Sequence, residues 1–151
     1  MDKARAAADE TRLILNRFTE DDALALGQIL VDLARKDHLG VVIDIRTQNR
    51  TLFHAALPGS APINDNWARR KSNTVLATHK SSLLNHFENA ESSSTLGKHG
   101  LDHADYSDHG GALPIRVKGA GMVAVVTVSG LPHLEDHAMV VRGIETLMAR
   151  Q

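Results

Sequence analysis

A chain of 151 residues, 42% apolar and 23% charged, has the composition of a globular protein and is long enough to bury a core without covalent staples. Seventeen basic against eighteen acidic residues leave a formal charge of −1, which gives no electrostatic footprint for nucleic acid or an anionic membrane. Cysteine is absent, which excludes disulfides, thiolate catalysis and iron–sulfur ligation, and three Phe, one Trp and one Tyr leave the core to aliphatic residues.

The opening residues, MDKARAAADETRL, lack the apolar stretch of a signal peptide, and no run approaches the roughly 18 apolar residues that span a bilayer. The expectation is a cytoplasmic protein with no membrane or nucleic-acid partner. RLILNRF (12–18) reads as a short edge strand. In FTEDDALALGQILVDLARKDH (18–38), Thr19 and Asp22 form a capping pair, and Leu26, Ile29, Leu30 and Leu33 recur at helical spacing. GVVIDIR (40–46) and RTLFHAAL (50–57) are β-rich runs across TQN, a hairpin signal that Pro58 and Gly59 close. A helical region from about Asp65 to Ala90 follows, broken near Lys80–Ser82, and then a loop over 91–112. ALPIRV (112–117) and GMVAVVTVS (121–129) make a second hairpin. PHLEDHAMVVRGIETLMAR (132–150) is a closing helix, with Val140, Val141, Ile144, Leu147 and Met148 on one stripe. Two hairpins among helices predict an α+β fold with antiparallel pairing, in one domain over 1–151.

Four stretches together resemble a known group: FTEDDALALG (18–27), LFHAALPGSAPINDNWARRK (52–71), HGGALPIRVKGAG (109–121) and VSGLPHLEDH (128–137). They are similar to the uncharacterised-protein branch of the GlcG/HbpS-like superfamily, also called the haem-degrading domain. The resemblance implies a five-stranded antiparallel sheet with flanking helices, PAS- or profilin-like, and a homo-oligomer built from dimers. It also implies haem binding in some relatives, through a histidine of the first helix. Residues 21–37 contain no histidine; His38 lies just beyond, and His54 is better placed for a hydrogen-bonded structural role.

Three stretches carry candidate chemistry. KHGLDHADYSDHGG (98–111) interleaves His and Asp, yet Gly97 and Gly100 flank His99, and Asp102 and Asp105 favour turns over the helix that a His99–His103 metal pair needs. No metal site is expected there; His109, followed by Gly110 and Gly111, is the candidate. In NDNWARRK (64–71), Asn64 or Asp65 is expected to cap a helix. Arg69, Arg70 and Lys71 would then fall in its first two turns, where the macrodipole disfavours cations. Either ion pairs with Asp65 and neighbouring subunits compensate, or the cations and helix amides hold an anion, with Trp67 as a wall or a packing residue. In SGLPHLEDH (129–137), Ser129 and Gly130 turn the chain into the last helix. Asp136 and His137 point about 100° apart and cannot form a dyad, so one is expected to line a pocket and the other to face solvent or a partner chain. Ser81 and Ser82 lack a nucleophile-elbow pattern.

The expected site therefore joins Asn64, Asp65, Trp67, Arg70 and Lys71 to His109–Gly111 and to Ser129, Gly130, Asp136 and His137. The function it suggests is an oligomeric, non-enzymatic protein binding a small anionic ligand. Two alternatives stand beside it: a haem-binding or haem-degrading protein, and a scaffold that binds other proteins.

Overall fold

Thr19 opens the first long helix with a reciprocal cap: the Asp22 amide donates to Thr19 Oγ1 (3.3 Å), and the Thr19 amide donates to Asp22 Oδ2 (2.9 Å). In the computed structural model, which describes residues 1–151, the elements run α1 (Lys3–Arg12), β1 (Ile14–Leu15), α2 (Glu20–Lys36), β2 (Val42–Arg46) and β3 (Thr51–Ala56). They continue with α3 (Pro62–Thr78), α4 (Ser82–Glu91), β4 (Ala112–Val117), β5 (Gly121–Ser129) and α5 (His133–Ala149), with a 3-10 turn at Leu96–His99. Helix α1 is not among the expected elements; Asp2 caps it by accepting the Arg5 amide at 2.9 Å. None of the helices is long and apolar enough to cross a membrane.

The five strands form one α+β sheet in the order β1-β4-β5-β2-β3. Both expected hairpins are antiparallel neighbours, and β5 pairs with β2 antiparallel to join them. The sheet is mixed, which corrects the expectation of purely antiparallel pairing: β1 runs parallel to β4, with Ile14 opposite Arg116 and Leu15 opposite Val117. No hairpin links these two strands, so no turn fixes their relative direction.

The two faces of the sheet differ in chemistry. One is apolar: Ile43, Ile45, Leu113, Ile115, Val126 and Val128 meet Leu26 and Leu30 of α2 and Met139, Val140, Ile144 and Leu147 of α5. Each such buried side chain contributes about 1.5–3 kcal/mol of hydrophobic stabilisation. The other face lies under α3, where the apolar cluster shrinks to Val75, Ala112 and Val125. Polar groups fill the rest. Ser72 Oγ and Thr127 Oγ1 are 2.8 Å apart, and buried Asp44 takes two hydrogen bonds from Arg46 (2.5 and 2.7 Å).

Helix α3 starts earlier than expected. Ala61 is its N-cap, Pro62 its first residue, and Asn64 reaches back to accept the Ala61 amide (2.8 Å) instead of capping the helix itself. Proline suits that first position because its missing N–H is one that no helix uses. Arg69, Arg70 and Lys71 therefore lie in the third turn, beyond the reach of the dipole. The break before α4 is a left-handed His79 (φ 58°) followed by Ser81, whose hydroxyl accepts the Leu84 amide (3.0 Å).

Helices α2 and α5 approach closely because Gly143 has no side chain: a Cβ there would lie 2.6 Å from Leu30 Cδ2. Gly143→Ala is expected to cost about 1–3 kcal/mol. Urea unfolding should show a lower midpoint with an unchanged slope.

Candidate functional site

The loop over 92–111 folds back onto α3, and the helix holds it by hydrogen bonds. Arg69 donates to Ala104 O and Asp105 Oδ1 (both 3.0 Å), Arg70 Nε to His103 O (2.8 Å), and Asn73 Nδ2 to Asp105 O (2.9 Å). The His103 side chain is 95% exposed, and His99 is exposed as well. This loop roofs a cleft of about 590 Å³ walled by Trp67, Arg70, Leu96, Tyr106, Asp108 and His109. A second cleft of about 400 Å³ lies beside it, between Asn64 and Lys71 on one side and Ser129, Gly130, His133 and Asp136 on the other. Trp67 and His109 belong to both.

Those two rings stack, with centroids 4.8 Å apart and planes 24° from parallel. The Arg70 guanidinium carbon lies 4.5 Å from the Trp67 ring centroid, a cation–π contact. His133 accepts the Gly110 amide at Nδ1 (2.9 Å), so in the neutral ring the proton sits on Nε2. His86 of α4 stands edge-on to His133 at 4.9 Å. Burial is the main cause that lowers the pKa of both His109 and His133; Lys71 and the neighbouring His86 push the same way, against Asp108. Both rings are therefore held neutral at neutral pH.

Behind the smaller cleft sits a buried ion pair. Lys71 Nζ donates to Asp136 Oδ2 (2.9 Å) and to Val128 O (3.2 Å), and Asp136 Oδ1 accepts the Leu131 amide (3.0 Å). Lys71 is 3% exposed and Asp136 1%. Burial pushes the Lys71 pKa down and the Asp136 pKa up, each opposed by the partner's charge. Gly111 (φ +131°) leaves the room the pair needs: a Cβ there would sit 2.8 Å from Lys71 Nζ and 2.9 Å from Asp136 Cβ.

The fold thus brings Asn64, Trp67, Arg70, Lys71, His109, Ser129, Gly130 and Asp136 to the walls of two adjoining clefts. Gly110 and Gly111 shape the backbone beside them, through His133 and Lys71 respectively. Asp65 lies elsewhere, accepting from His54 Nε2 (3.0 Å) while His54 Nδ1 meets Asp44 (2.8 Å). His54 is accordingly a hydrogen-bonded bridge between two carboxylates.

His137 faces neither solvent nor a partner, which corrects the expectation for the Asp136–His137 pair. It is fully buried against α1, with both ring nitrogens unpartnered and Nε2 4.0 Å from Asp9 Oδ2. Asp9 and Arg12 of the unanticipated helix α1 reach this side of α5, at His137 and Glu145 respectively. Sequence reasoning also passed over His133 and His86. His133 lies within the quoted PHLEDH motif, directly after the N-cap Pro132 and as the first residue of α5, so a signal was present; His86 arrives only through the turn at His79–Ser81, and no local pattern announces that.

Residues 18–145 match the model of a family described as haem degrading protein HbpS-like. The chain belongs to that family. A UPF0303 protein of Streptomyces avermitilis is 49% identical over 144 residues, covering 95% of this chain and 88% of the relative. Among solved structures, the Ybr137w protein superposes with a TM-score of 0.88 at 30% identity, over 97% of this chain and 89% of that one. A PduOC–haem complex superposes with a TM-score of 0.72 over 85% and 93%; at 16% identity that likeness is one of fold.

Burial pushes the His137 pKa down to about 4 from an ordinary 6.5, with Asp9 of α1 opposing and His133 assisting. The unfolded chain then binds the proton more readily than the folded one between those values. Stability tied to this ring is present above about pH 6.5 and is lost as pH falls towards 4, on the order of 3 kcal/mol in all. His137→Leu is expected to flatten that part of the stability–pH curve by about one proton. Urea midpoints measured across the window check it.

Proposed function

We propose that the chain is a homo-oligomer, built from dimers, that binds a small anionic ligand in the clefts shared by Trp67 and His109. The observation that carries this reading is the convergence of three stretches far apart in sequence on those clefts: Asn64–Lys71, the turn at His109, and Ser129–Asp136. Lys71 and Asp136 cancel each other's charge. The attraction for an anion comes instead from Arg70, which spends only its Nε on His103 O, and from the start of α5, where Pro132 and His133 form part of the smaller cleft's wall. A carboxylate or phosphate seated between them meets guanidinium N–H groups, the helix amides and a neutral imidazole that can donate or accept.

Isothermal titration with a panel of small carboxylates and inorganic phosphate tests the reading. Arg70→Ala is expected to weaken binding roughly 10- to 100-fold, as loss of a charge-assisted hydrogen bond does, while light scattering shows the assembly unchanged. Broken assembly with no ligand bound by the parent protein favours the scaffold reading instead.

Haem is the second reading, supported by the family's description and by the haem complex among the structural neighbours. The residues fit it in part. His109 offers a neutral ring to the larger cleft, and Arg70 a cation for a propionate. The walls are less suited, since polar residues, Asp102, Asp108 and Arg70 among them, outnumber the apolar Trp67, Leu96, Leu101 and Tyr106. A hemin titration followed by absorbance decides: a saturable Soret shift that His109→Ala abolishes supports haem, and a featureless titration removes it.

A further inference from the structure

Lys3, Lys36, Lys80, Lys98 and Lys118 are exposed, and Lys71 alone among the lysines is buried. A buried ion pair is a poor way to gain stability, because desolvating both charges offsets most of their attraction and apolar residues of the same volume serve as well. Here the pair is also not sealed into a core. Lys71 and Asp136 both line the 400 Å³ cleft, together with Ser129, His109 and His133. An ammonium has three N–H groups, and Lys71 commits two, to Asp136 Oδ2 and Val128 O. Gly111 keeps the backbone clear of Nζ, where any side chain would crowd it.

We propose that Lys71 is a carbonyl-capturing lysine, whose amine condenses reversibly with a small aldehyde or 2-oxo acid held in the smaller cleft, with Asp136 carrying the proton. The 2-oxo acid form rests on the anion-binding reading above. The Lys71 ammonium first passes a proton across the 2.9 Å contact to the Asp136 carboxylate. The free amine then attacks the carbonyl carbon, and the carbonyl oxygen takes up one of the two protons released from nitrogen to give a carbinolamine. Asp136 returns its proton to that hydroxyl, which leaves as water, and a protonated imine remains beside the Asp136 carboxylate. One ammonium and one carbonyl become one iminium and one water, with the positive charge conserved. Burial assists the first step: it disfavours the charged forms of both partners, so the proton transfer is less uphill than in water.

The experiment is reductive trapping on the full-length protein at neutral pH. Glyoxylate is used in one arm and propionaldehyde, which has no carboxylate, in the other; sodium cyanoborohydride fixes any imine and peptide mass spectrometry locates it. Lys71 is expected to be labelled in preference to the exposed lysines by roughly tenfold or more, because Asp136 stands 2.9 Å away to take its proton. Lys71→Arg keeps the charge next to Asp136 and should lose that label. Asp136→Asn should slow labelling at Lys71 by roughly 100-fold or more. Label confined to the exposed lysines in both arms overturns the proposal, and because the parent protein alone gives that answer, a variant that fails to fold does not obscure it. Label at Lys71 from propionaldehyde but not from glyoxylate keeps the imine chemistry and removes the anion reading. Saturable shifts of the protein's amide resonances with glyoxylate, without label at Lys71, do the reverse.

Discussion

The contact between Lys71 and Asp136 ties helix α3 to the junction where β5 turns into α5, and much of the site's shape follows from it. Asp136 spends its second oxygen on the Leu131 amide, and Lys71 its second donor on the Val128 carbonyl, so each side chain is bonded to the backbone at the end of β5 as well as to the other. A charged pair at this depth is tolerated only when its remaining hydrogen-bonding capacity is met in this way. The arrangement needs a residue without a side chain at 111 and a backbone able to turn at 130, and both positions are glycine with positive φ. Removing either partner would leave an uncompensated charge under α3.

The asymmetry of the sheet explains why the site lies where it does. On the α2/α5 side, aliphatic side chains interdigitate into one continuous apolar layer. On the α3 side the helix meets the sheet through hydroxyls, carboxylates and one ammonium, and a polar interlayer of that kind leaves gaps at its margins. The clefts open at such a margin, where α3, the roof loop and the β5–α5 junction converge. The scarcity of aromatic residues makes the stack of Trp67 on His109 the more informative, because the chain's one tryptophan stands at the cleft and not in the core.

How much of this was legible beforehand depends on the kind of signal each feature carries. Helix α2 announces itself by a cap and a periodic apolar stripe, and the two hairpins by β-rich runs around short turns; these are local signals and survive in the structure. Strand β1 is two residues long and pairs with a strand a hundred residues away, so its direction has no local cause. The start of α3 was misplaced because Asn64 looks like a cap, whereas Pro62 sets the helix's first turn and Asn64 only reaches back to it. Lys71 shows the limit most clearly. In sequence it is the last of three consecutive cations, yet Arg69 and Arg70 reach the roof loop while Lys71, turned about 100° further round the helix, faces the sheet. Which of three like residues is buried is decided by the helix's docking angle, and no spacing records that.

The manner in which α3 holds the roof bears on how such a site can diversify. Arg69, Arg70 and Asn73 grip the carbonyls of Ala104, His103 and Asp105, and only one of these contacts, that of Arg69 with Asp105, also uses a side chain. A tether that reads backbone is indifferent to most of what the roof displays. The histidines and aspartates that crowd residues 99–105 can therefore drift with little loss of anchorage, while exchanging a donor on α3 would slacken the whole span at once. The roof-loop wall of the larger cleft can thus vary in sequence while the opposite wall on α3 acts as its fixed jig.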